Sequence, residues 1–292
     1  MESFSQVLRP TNRVPFLTAL LLMSSIPSHV HFELRENIEY AQAGDTSLQL
    51  DARIPEGNGP FAAAIIVHGG AWVAGDRRNS VLPLFQPLAD AHIASFSISY
   101  RLAARGNIAQ FLTLGSSIDD VRQAVAFVKA HAAEYHVDRN RVVLIGESAG
   151  AQLASMAALR PWPNGTVRGV VAFYNPSDLV KLVQTSSWIP DNIRQSLKGS
   201  PLETLLFAGL REFSPVTWVN QDTAPFLLIH GTEDPVVPFE QSQEFCDNLH
   251  AAGGHCELYA VKGGHHGIRW WDAVGLTDYK SVMIRWLSAR LS

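Results

Sequence analysis

Charged residues are sparse in this chain, and neither sign is in large excess. They make up 17% of the 292 residues, with 23 Lys and Arg against 27 Asp and Glu, for a net charge of −4. No cluster of Lys and Arg interleaved with aromatic residues is present, so the sequence lacks the basic face that nucleic acid binding requires. We therefore expect no nucleic acid partner.

Long apolar runs, internal repeats and metal-binding patterns are also missing. No apolar run reaches about 18 residues, the minimum for a helix that crosses a bilayer. The motif H-E-x-x-H does not occur, and two cysteines cannot supply a zinc cluster. We expect no stable membrane insertion and no metal site.

Cysteine is rare, and the two that occur leave two alternatives open. Cys246 lies in a predicted helix and Cys256 begins the predicted strand that follows, with Gly253 and Gly254 between them. In an oxidising compartment this spacing allows a disulfide from helix to strand, whereas in a reducing one the pair would remain two buried thiols. Comparing the intact mass before and after reduction distinguishes the two.

The first 30 residues have the features of an export signal. Arg9 and Arg13 precede an apolar core at 14–23, and small polar residues with a candidate cleavage region at 24–28 follow. We predict a signal peptide or a disordered segment over 1–30, one domain over 31–292, and export to the periplasm or the exterior. The alternative is a cytoplasmic protein whose N-terminus is a disordered tail or an accessory helix.

Apolar residues are abundant, 47% of the total, and they occur as short runs alternating with helical patterns. Residues 94–98 alternate apolar and Ser side chains as a strand does, and apolar residues at helical spacing predict a helix over about 117–136. Strands that alternate with helices predict an α/β fold with a mainly parallel central sheet and helices on both faces. Further strands are predicted at 32–40, 46–54, 62–67, 141–145, 167–173, 226–230 and 256–261. The first two of these are expected to be antiparallel.

The motif GESAG at 146–150 stands between a predicted buried strand and a predicted helix, 149–159. A strand, a sharp turn and a helix are the context of a nucleophile elbow, in which the turn presents the serine hydroxyl at the carboxyl edge of the sheet. Glycine at both ends of the motif permits the tight turn and the close packing of helix on sheet. Ser148 is therefore the candidate nucleophile.

A second motif, HGGAW at 68–72, directly follows a predicted strand. Acyl transfer needs backbone N–H groups aimed at the carbonyl oxygen as negative charge develops on it, and paired glycines let such groups approach closely. We predict an oxyanion hole formed by the N–H groups of Gly70, Ala71 and Ala149, with Trp72 close to the substrate. An ordinary Gly-Gly turn at the end of a strand is the alternative.

Two later turns offer the partners of a nucleophilic serine, in the chain order Ser, Asp, His. Asp234 follows the predicted strand 226–230, where its carboxylate can orient a histidine ring. Its neighbour Glu233 is expected to be a solvated turn residue. The loop after the last predicted strand carries two adjacent histidines, His265 and His266, of which the chemistry requires one. From these residues alone the choice between them is open.

Taken in order, the segments HGGAW, YRLA, GESAG, HGTEDPVVP and VKGGHHG resemble the motifs of the α/β-hydrolase esterases, over about residues 35–290. The branch they resemble most holds hormone-sensitive-lipase-like and acetyl-xylan or feruloyl esterase-like carboxylesterases. In that family the last turn typically reads V-K-G-A-G-H-G-F, which, laid on 261–268, makes His266 the catalytic histidine. Ala71 replaces the usual third glycine, which is harmless if only its N–H is used. Glu147 replaces a common Asp, and we expect it to form local hydrogen bonds rather than to act in the chemistry.

The resemblance implies an α/β-hydrolase fold with a small cap-like insertion, placed at 175–220 because the strand and helix patterns weaken there. This insertion would shape the acyl or alcohol pocket, unless its aromatic residues simply pack on the main core. The implied activity is that of a serine carboxylesterase, which hydrolyses small acyl esters, such as acetyl esters of carbohydrate or aryl alcohols, through an acyl-enzyme and without a cofactor. A kynurenine formamidase-like amidohydrolase is the alternative, followed by a peptidase or a catalytically inactive binding protein. The sequence does not indicate the oligomeric state.

Overall fold

The computed structural model describes residues 29–103, 114–162, 166–185, 192, 195 and 198–292. Nearly all of the predicted export signal lies outside these residues, and so do residues 186–191 of the predicted insertion. The domain boundaries therefore stay predictions. Within the described ranges, no helix is both long and apolar enough to span a bilayer.

The strands of the described chain are β1 (Phe32–Ala43), β2 (Thr46–Pro55), β3 (Phe61–Val67), β4 (Ile93–Ile98), β5 (Val137–Glu147), β6 (Val170–Phe173), β7 (Phe226–Gly231) and β8 (Cys256–Val261). They form one eight-stranded sheet in the order β1-β2-β4-β3-β5-β6-β7-β8. Strands β3 to β8 are parallel, whereas β2 pairs antiparallel with both β1 and β4. The predicted α/β fold, with its mainly parallel sheet and antiparallel opening strands, is confirmed.

Helices cover both faces of this sheet. They are α1 (Leu82–Asp90), α2 (Leu114–Ala130), α3 (Ala149–Leu159), α4 (Leu179–Thr185), α5 (Pro201–Glu212), α6 (Glu240–Ala251), α7 (Ile268–Ala273) and α8 (Asp278–Leu291), with a 3₁₀ turn at Pro215–Trp218. Buried residues of α2, α3, α5 and α6 join one apolar cluster, and those of α1, α7 and α8 join a second on the opposite face.

Strand β3 shows why its sequence is apolar without interruption. All seven of its residues are buried. Ala63, Ile65 and Val67 belong to the first apolar cluster, whereas the residues between them belong to the second. Because successive side chains of a strand point to opposite faces, a strand covered on both sides must be apolar at every position. The sheet thereby holds the carboxyl ends of its central strands in fixed positions along one edge.

The helix predicted over 117–136 ends earlier, since α2 stops at Ala130. In the turn that follows, His136 adopts a left-handed φ of 51°. Val137 then begins β5 and pairs with Phe61 at the start of β3. The chain must reverse at this point for β5 to enter the sheet, so strand pairing overrides the helical pattern of the sequence.

Cys246 on α6 and Cys256 at the start of β8 form a disulfide, with their Cα atoms 5.4 Å apart. This separation is a usual one for a disulfide. Of the two alternatives left open by the sequence, the structure contains the bond.

The predicted insertion at 175–220 contributes α4, α5 and the 3₁₀ turn to the described chain. Leu210 on α5 is fully buried in the first apolar cluster, and Phe207 and Phe213 pack against the same cluster. The described aromatic residues of this segment therefore rest on the main core. Trp188, which also belongs to the predicted insertion, lies outside the described residues.

Candidate active site

The motif GESAG forms a sharp turn between β5 and α3. Ser148 has φ 52° and ψ −122°, a conformation that costs a non-glycine residue about 1–3 kcal/mol and persists only where the surroundings impose it. Its N–H donates to the carbonyl of Phe173 on the neighbouring strand β6, at 3.0 Å. A Cβ at Gly146 would lie 2.3 Å from the carbonyl oxygen of Gly150, and one at Gly150 would lie 2.2 Å from that of Val67. Both glycines are thus required for the close approach of α3 to the sheet.

Three side chains from separate loops meet at the carboxyl ends of β5, β7 and β8. The Ser148 Oγ atom lies 2.9 Å from Nε2 of His266, and Nδ1 of the same ring lies 2.6 Å from Oδ2 of Asp234. With a neutral imidazole protonated on Nδ1, the serine hydroxyl donates to Nε2 and the ring donates to the carboxylate. A histidine in this state can accept the serine proton, which is the geometry of a Ser-His-Asp triad.

The environment of Asp234 keeps its carboxylate ionised. Its side chain is fully buried, and Oδ1 accepts the N–H groups of Val236 and Val237 at 2.8 and 2.9 Å. Burial by itself would raise the pKa of this carboxyl, but hydrogen bonds from His230 and His266 hold the pKa well below its usual value. An ionised, buried carboxylate is what orients a histidine ring and stabilises its charged form.

Of the two adjacent histidines, only His266 reaches the serine. The side chain of His265 is 48% exposed, and its ring stacks on Trp270 with the centroids 4.5 Å apart. Its Nε2 atom lies 3.7 Å from the carboxylate of Glu233, which is itself 66% exposed. The structure therefore brings together the serine, the aspartate and the histidine selected by the family pattern. Glu233 and His265, the chain neighbours of Asp234 and His266, remain at the surface.

The predicted oxyanion loop has a left-handed backbone at three successive residues, with φ of 123° at Gly70, 50° at Ala71 and 63° at Trp72. A Cβ at Gly70 would lie 2.1 Å from the carbonyl oxygen of Ala74, so only glycine fits there. Among the hydrogen bonds of the described residues, none is donated by the N–H groups of Gly70, Ala71 or Ala149. These three N–H groups are therefore available to an oxygen that carries negative charge. Ala149 is also the first residue of α3, and the amino end of a helix favours negative charge.

Glu147 connects this loop to the turn that carries the histidine. Its Oε1 atom accepts the Gly69 N–H at 3.1 Å, and its Oε2 atom accepts the Tyr174 hydroxyl proton at 2.5 Å. The same hydroxyl oxygen accepts the N–H of Ile268 at 3.1 Å. The ring centroids of Tyr174 and His266 lie 4.4 Å apart. The local hydrogen bonds expected of Glu147 thus span the elbow, the oxyanion loop and the histidine turn.

Two functional neighbours were missed by the sequence analysis, Tyr174 and His230. Burial and the adjacent Glu147 carboxylate raise the pKa of the Tyr174 hydroxyl far above its ordinary value, so it stays a hydrogen-bond donor. His230 is fully buried, with Nε2 2.9 Å from the carbonyl oxygen of Val237 and 3.5 Å from Oδ2 of Asp234. Tyr174 directly follows the predicted strand 167–173, and His230 is the last residue of the predicted strand 226–230. These positions are the one sequence signal that could have indicated them.

Trp72, predicted to lie close to the substrate, is 7% exposed. Its indole N–H donates to Oε1 of Gln152 on α3 at 2.9 Å. Contact with a substrate stays a prediction for this residue. Within the part of the chain that the structure describes, no group of three His, Cys, Asp or Glu side chains is arranged to hold a metal ion.

The chain is similar to proteins of a known family. The BD-FAE family model matches residues 50–249. The chain is 30% identical to the probable carboxylic ester hydrolase LipM of Mycobacterium tuberculosis, over 66% of this chain and 46% of that protein. It is 29% identical to the esterase LipQ of the same organism, over 69% of this chain and 49% of that protein. The chain thus spans about half the length of these curated relatives.

Solved structures share the fold. A truncated carbohydrate esterase from gut microbiota superposes with a TM-score of 0.72 at 23% identity, covering 90% of this chain and 97% of the other. Esterase 2 of the planctomycete Thermogutta terrifontis superposes with a TM-score of 0.66 at 22% identity, covering 87% and 92%. At these identities the likeness establishes the α/β-hydrolase architecture alone.

Proposed function

Since the chain belongs to the BD-FAE family of α/β-hydrolases, we propose that it is a serine carboxylic-ester hydrolase acting on small acyl esters. The observation that carries this proposal is the unbroken contact from the Ser148 hydroxyl through His266 to Asp234, at 2.9 and 2.6 Å. The names of the mycobacterial relatives support the same reaction class.

In the first half of the reaction the Ser148 oxygen attacks the ester carbonyl carbon while Nε2 of His266 takes the hydroxyl proton. Asp234, held ionised, keeps the imidazole in the required tautomer and stabilises the imidazolium that forms. The tetrahedral intermediate then collapses: the bond from carbon to the alcohol oxygen breaks, and the imidazolium returns its proton to the leaving alcohol. The products of this half are the free alcohol and an acyl-Ser148 ester.

The developing negative charge is stabilised by backbone dipoles. The N–H groups of Gly70, Ala71 and Ala149 have no other acceptor among the described residues, and they would bind the oxyanion. One such donor is worth about 3 kcal/mol of barrier in enzymes of this type. Because the loop is already in its left-handed conformation, the donors need no reorganisation when the charge appears.

Water completes the cycle by the same steps. His266 removes a proton from a water molecule, which attacks the acyl carbon, and the imidazolium then returns the proton to Ser148 as the carboxylic acid leaves. Every proton in this scheme is carried by the one imidazole, so the reaction requires neither a metal nor a cofactor.

A fluorophosphonate probe tests the proposed function directly. We expect covalent labelling on the peptide that contains Ser148, because the probe needs both an activated serine and an oxyanion hole. A protein that binds no probe and turns over no ester would be a non-catalytic binding protein, contrary to the proposal.

A substrate panel distinguishes the remaining alternatives. Acyl esters of increasing chain length, acetylated and feruloylated sugars and N-formylkynurenine are compared by kcat/KM. We expect short acyl esters to be hydrolysed fastest. A preference for N-formylkynurenine would instead assign the formamidase activity, which the turn HGGAW at 68–72 also fits.

The hydrogen bonds of Glu147 lead to a prediction for two variants. Replacing Glu147 by alanine leaves the Gly69 N–H and the proton of the Tyr174 hydroxyl without acceptors in a buried site, so we expect kcat to fall about 10- to 100-fold. Glu147→Gln keeps one acceptor and should lose less than tenfold. KM and kcat on p-nitrophenyl acetate measure the effect. Glu233→Gln, which changes an exposed carboxylate next to Asp234, is the control and should leave both constants unchanged; an equal loss in the control would contradict the role given to Glu147.

A further inference from the structure

We propose that Gln152 is a positioning residue for the oxyanion hole, acting through its hydrogen bond to Trp72. The inference rests on the proposed function, since it concerns the donors that stabilise the oxyanion. Gln152 lies one turn after the nucleophile in α3, with its own N–H donating to the Ser148 carbonyl at 3.1 Å. Its side chain therefore extends from the helix that presents the serine.

Both polar atoms of this carboxamide have partners, although the side chain is fully buried. Oε1 accepts the Trp72 indole N–H at 2.9 Å, and Nε2 donates to the carbonyl oxygen of Phe213 at 2.7 Å. Phe213 is the residue directly after α5, its C-cap. Because a carbonyl oxygen can only accept, the atom that faces the Phe213 carbonyl must be the Gln152 amide nitrogen. The amide oxygen of Gln152 then faces the Trp72 indole N–H. The orientation of the amide is thus determined by the surrounding backbone.

The loop that donates this hydrogen bond is strained. Ala71 and Trp72 are consecutive non-glycine residues with positive φ, a backbone conformation that the surroundings must impose. The Trp72 carbonyl is held by the Ala103 N–H at 2.8 Å, and the indole is held by Gln152. These two contacts hold the backbone carbonyl and the side chain of Trp72. Trp72 directly follows Ala71, whose N–H we assign to the oxyanion hole. Their combined effect is to fix that N–H relative to Ser148.

A displacement of the Ala71 N–H would weaken stabilisation of the charged intermediate more than binding of the neutral ester. Oxyanion donors act on charge that appears only during the reaction, so their loss lowers kcat with little change in KM. A side chain that merely supported the fold would instead alter thermal stability and leave the chemistry of the remaining folded enzyme unchanged.

The test compares an oxygen ester with its thiono analogue, p-nitrophenyl acetate and O-p-nitrophenyl thionoacetate. In the analogue the atom that becomes negative is sulfur, a larger and weaker acceptor that gains less from N–H groups placed for oxygen. We expect Gln152→Leu to lower kcat on the oxygen ester about 10- to 100-fold and on the thionoester by much less, so that the ratio of the two falls about tenfold. KM for the oxygen ester should stay within about twofold.

Two further variants make the test decisive. Trp72→Phe removes the donor and should reproduce the loss of Gln152→Leu, and the double variant should lose no more than either single one. Gln241→Leu is the matched control, because Gln241 is also buried and bonds the backbone of Asp178, away from the oxyanion loop. It should lower the melting temperature comparably without changing the ratio of the two rates.

The proposal is overturned if Gln152→Leu keeps the wild-type ratio, whether or not it is less stable, or if the losses of the two single variants add fully in the double variant. Such a result would leave the proposed function intact, provided that the wild-type enzyme is labelled by the fluorophosphonate and hydrolyses the oxygen ester. A wild-type protein that does neither refutes the proposed function itself. If Gln152→Leu does not fold, Trp72→Phe alone reports on the same hydrogen bond.

Discussion

Ser148→Ala is expected to lower kcat on p-nitrophenyl acetate by about four to six orders of magnitude while the protein folds normally. Alanine has no oxygen to attack the ester, and water cannot replace it efficiently because the elbow places only the Cβ substituent within reach of His266. The variant should also lose fluorophosphonate labelling completely. Activity and labelling are measured on protein whose far-ultraviolet circular dichroism and melting temperature match the wild type.

Folding of this variant is expected because the substitution removes a single oxygen atom whose contact is with His266. The backbone at 148 keeps its hydrogen bond to Phe173, which does not involve the side chain. Ser155→Ala is the matched control: Ser155 lies on α3, the helix that directly follows Ser148, is fully buried, and its hydroxyl makes no hydrogen bond within the described residues. That control should retain wild-type turnover. A Ser148→Ala protein with more than about a hundredth of wild-type kcat would show that another group is the nucleophile.

The second large effect concerns the two adjacent histidines. We expect His266→Ala to lose about four to six orders of magnitude in kcat, because in the proposed mechanism the same ring is the general base and the proton donor to the leaving alcohol. His265→Ala should change kcat less than about threefold, since its exposed ring stacks on Trp270 and does not approach the serine.

Both histidine variants are measured on the same ester. The two residues are of the same type and adjacent in the chain. The two losses differ only through the direction in which each ring points. Equal and large losses would mean that the turn as a whole, and not the ring at 266, supports activity. A large loss confined to His265→Ala would reverse the assignment made from the family pattern.

The fold was largely predictable because its signals are local and repeated. Short apolar runs such as 62–67 are continuous since both faces of the sheet are covered, and that pattern is visible without coordinates. The end of α2 was not predictable. The apolar spacing continues to Ala132, but the chain turns after Ala130 so that Val137 can pair with β3. Pairing between distant strands has no signature in the helix that precedes it.

The site divides along the same line. Ser148 and Asp234 were identified because each sits in a motif directly after a predicted strand. The choice of His266 over His265 needed the spacing of a known family, since residue type and neighbourhood are the same for both. Tyr174 and Gln152 carry no motif: their hydrogen-bond partners are Glu147, 27 residues away, and Trp72, 80 residues away.

By itself, the sequence determined the class of fold and the order of most strands and helices along the chain, and it predicted the residues of an acyl-transfer site. These follow from periodicity and from short motifs, which depend on neighbours a few residues apart. Only the tertiary structure showed how close the His266 ring comes to the serine, how the loop at 68–72 is held, and which buried amide and hydroxyl connect that loop to the rest of the site. Hydrogen bonds depend on the distance and direction between two atoms in space. The eight strands of the sheet bring together atoms that are far apart along the chain, and their separation in sequence gives neither their distance nor their direction in the fold.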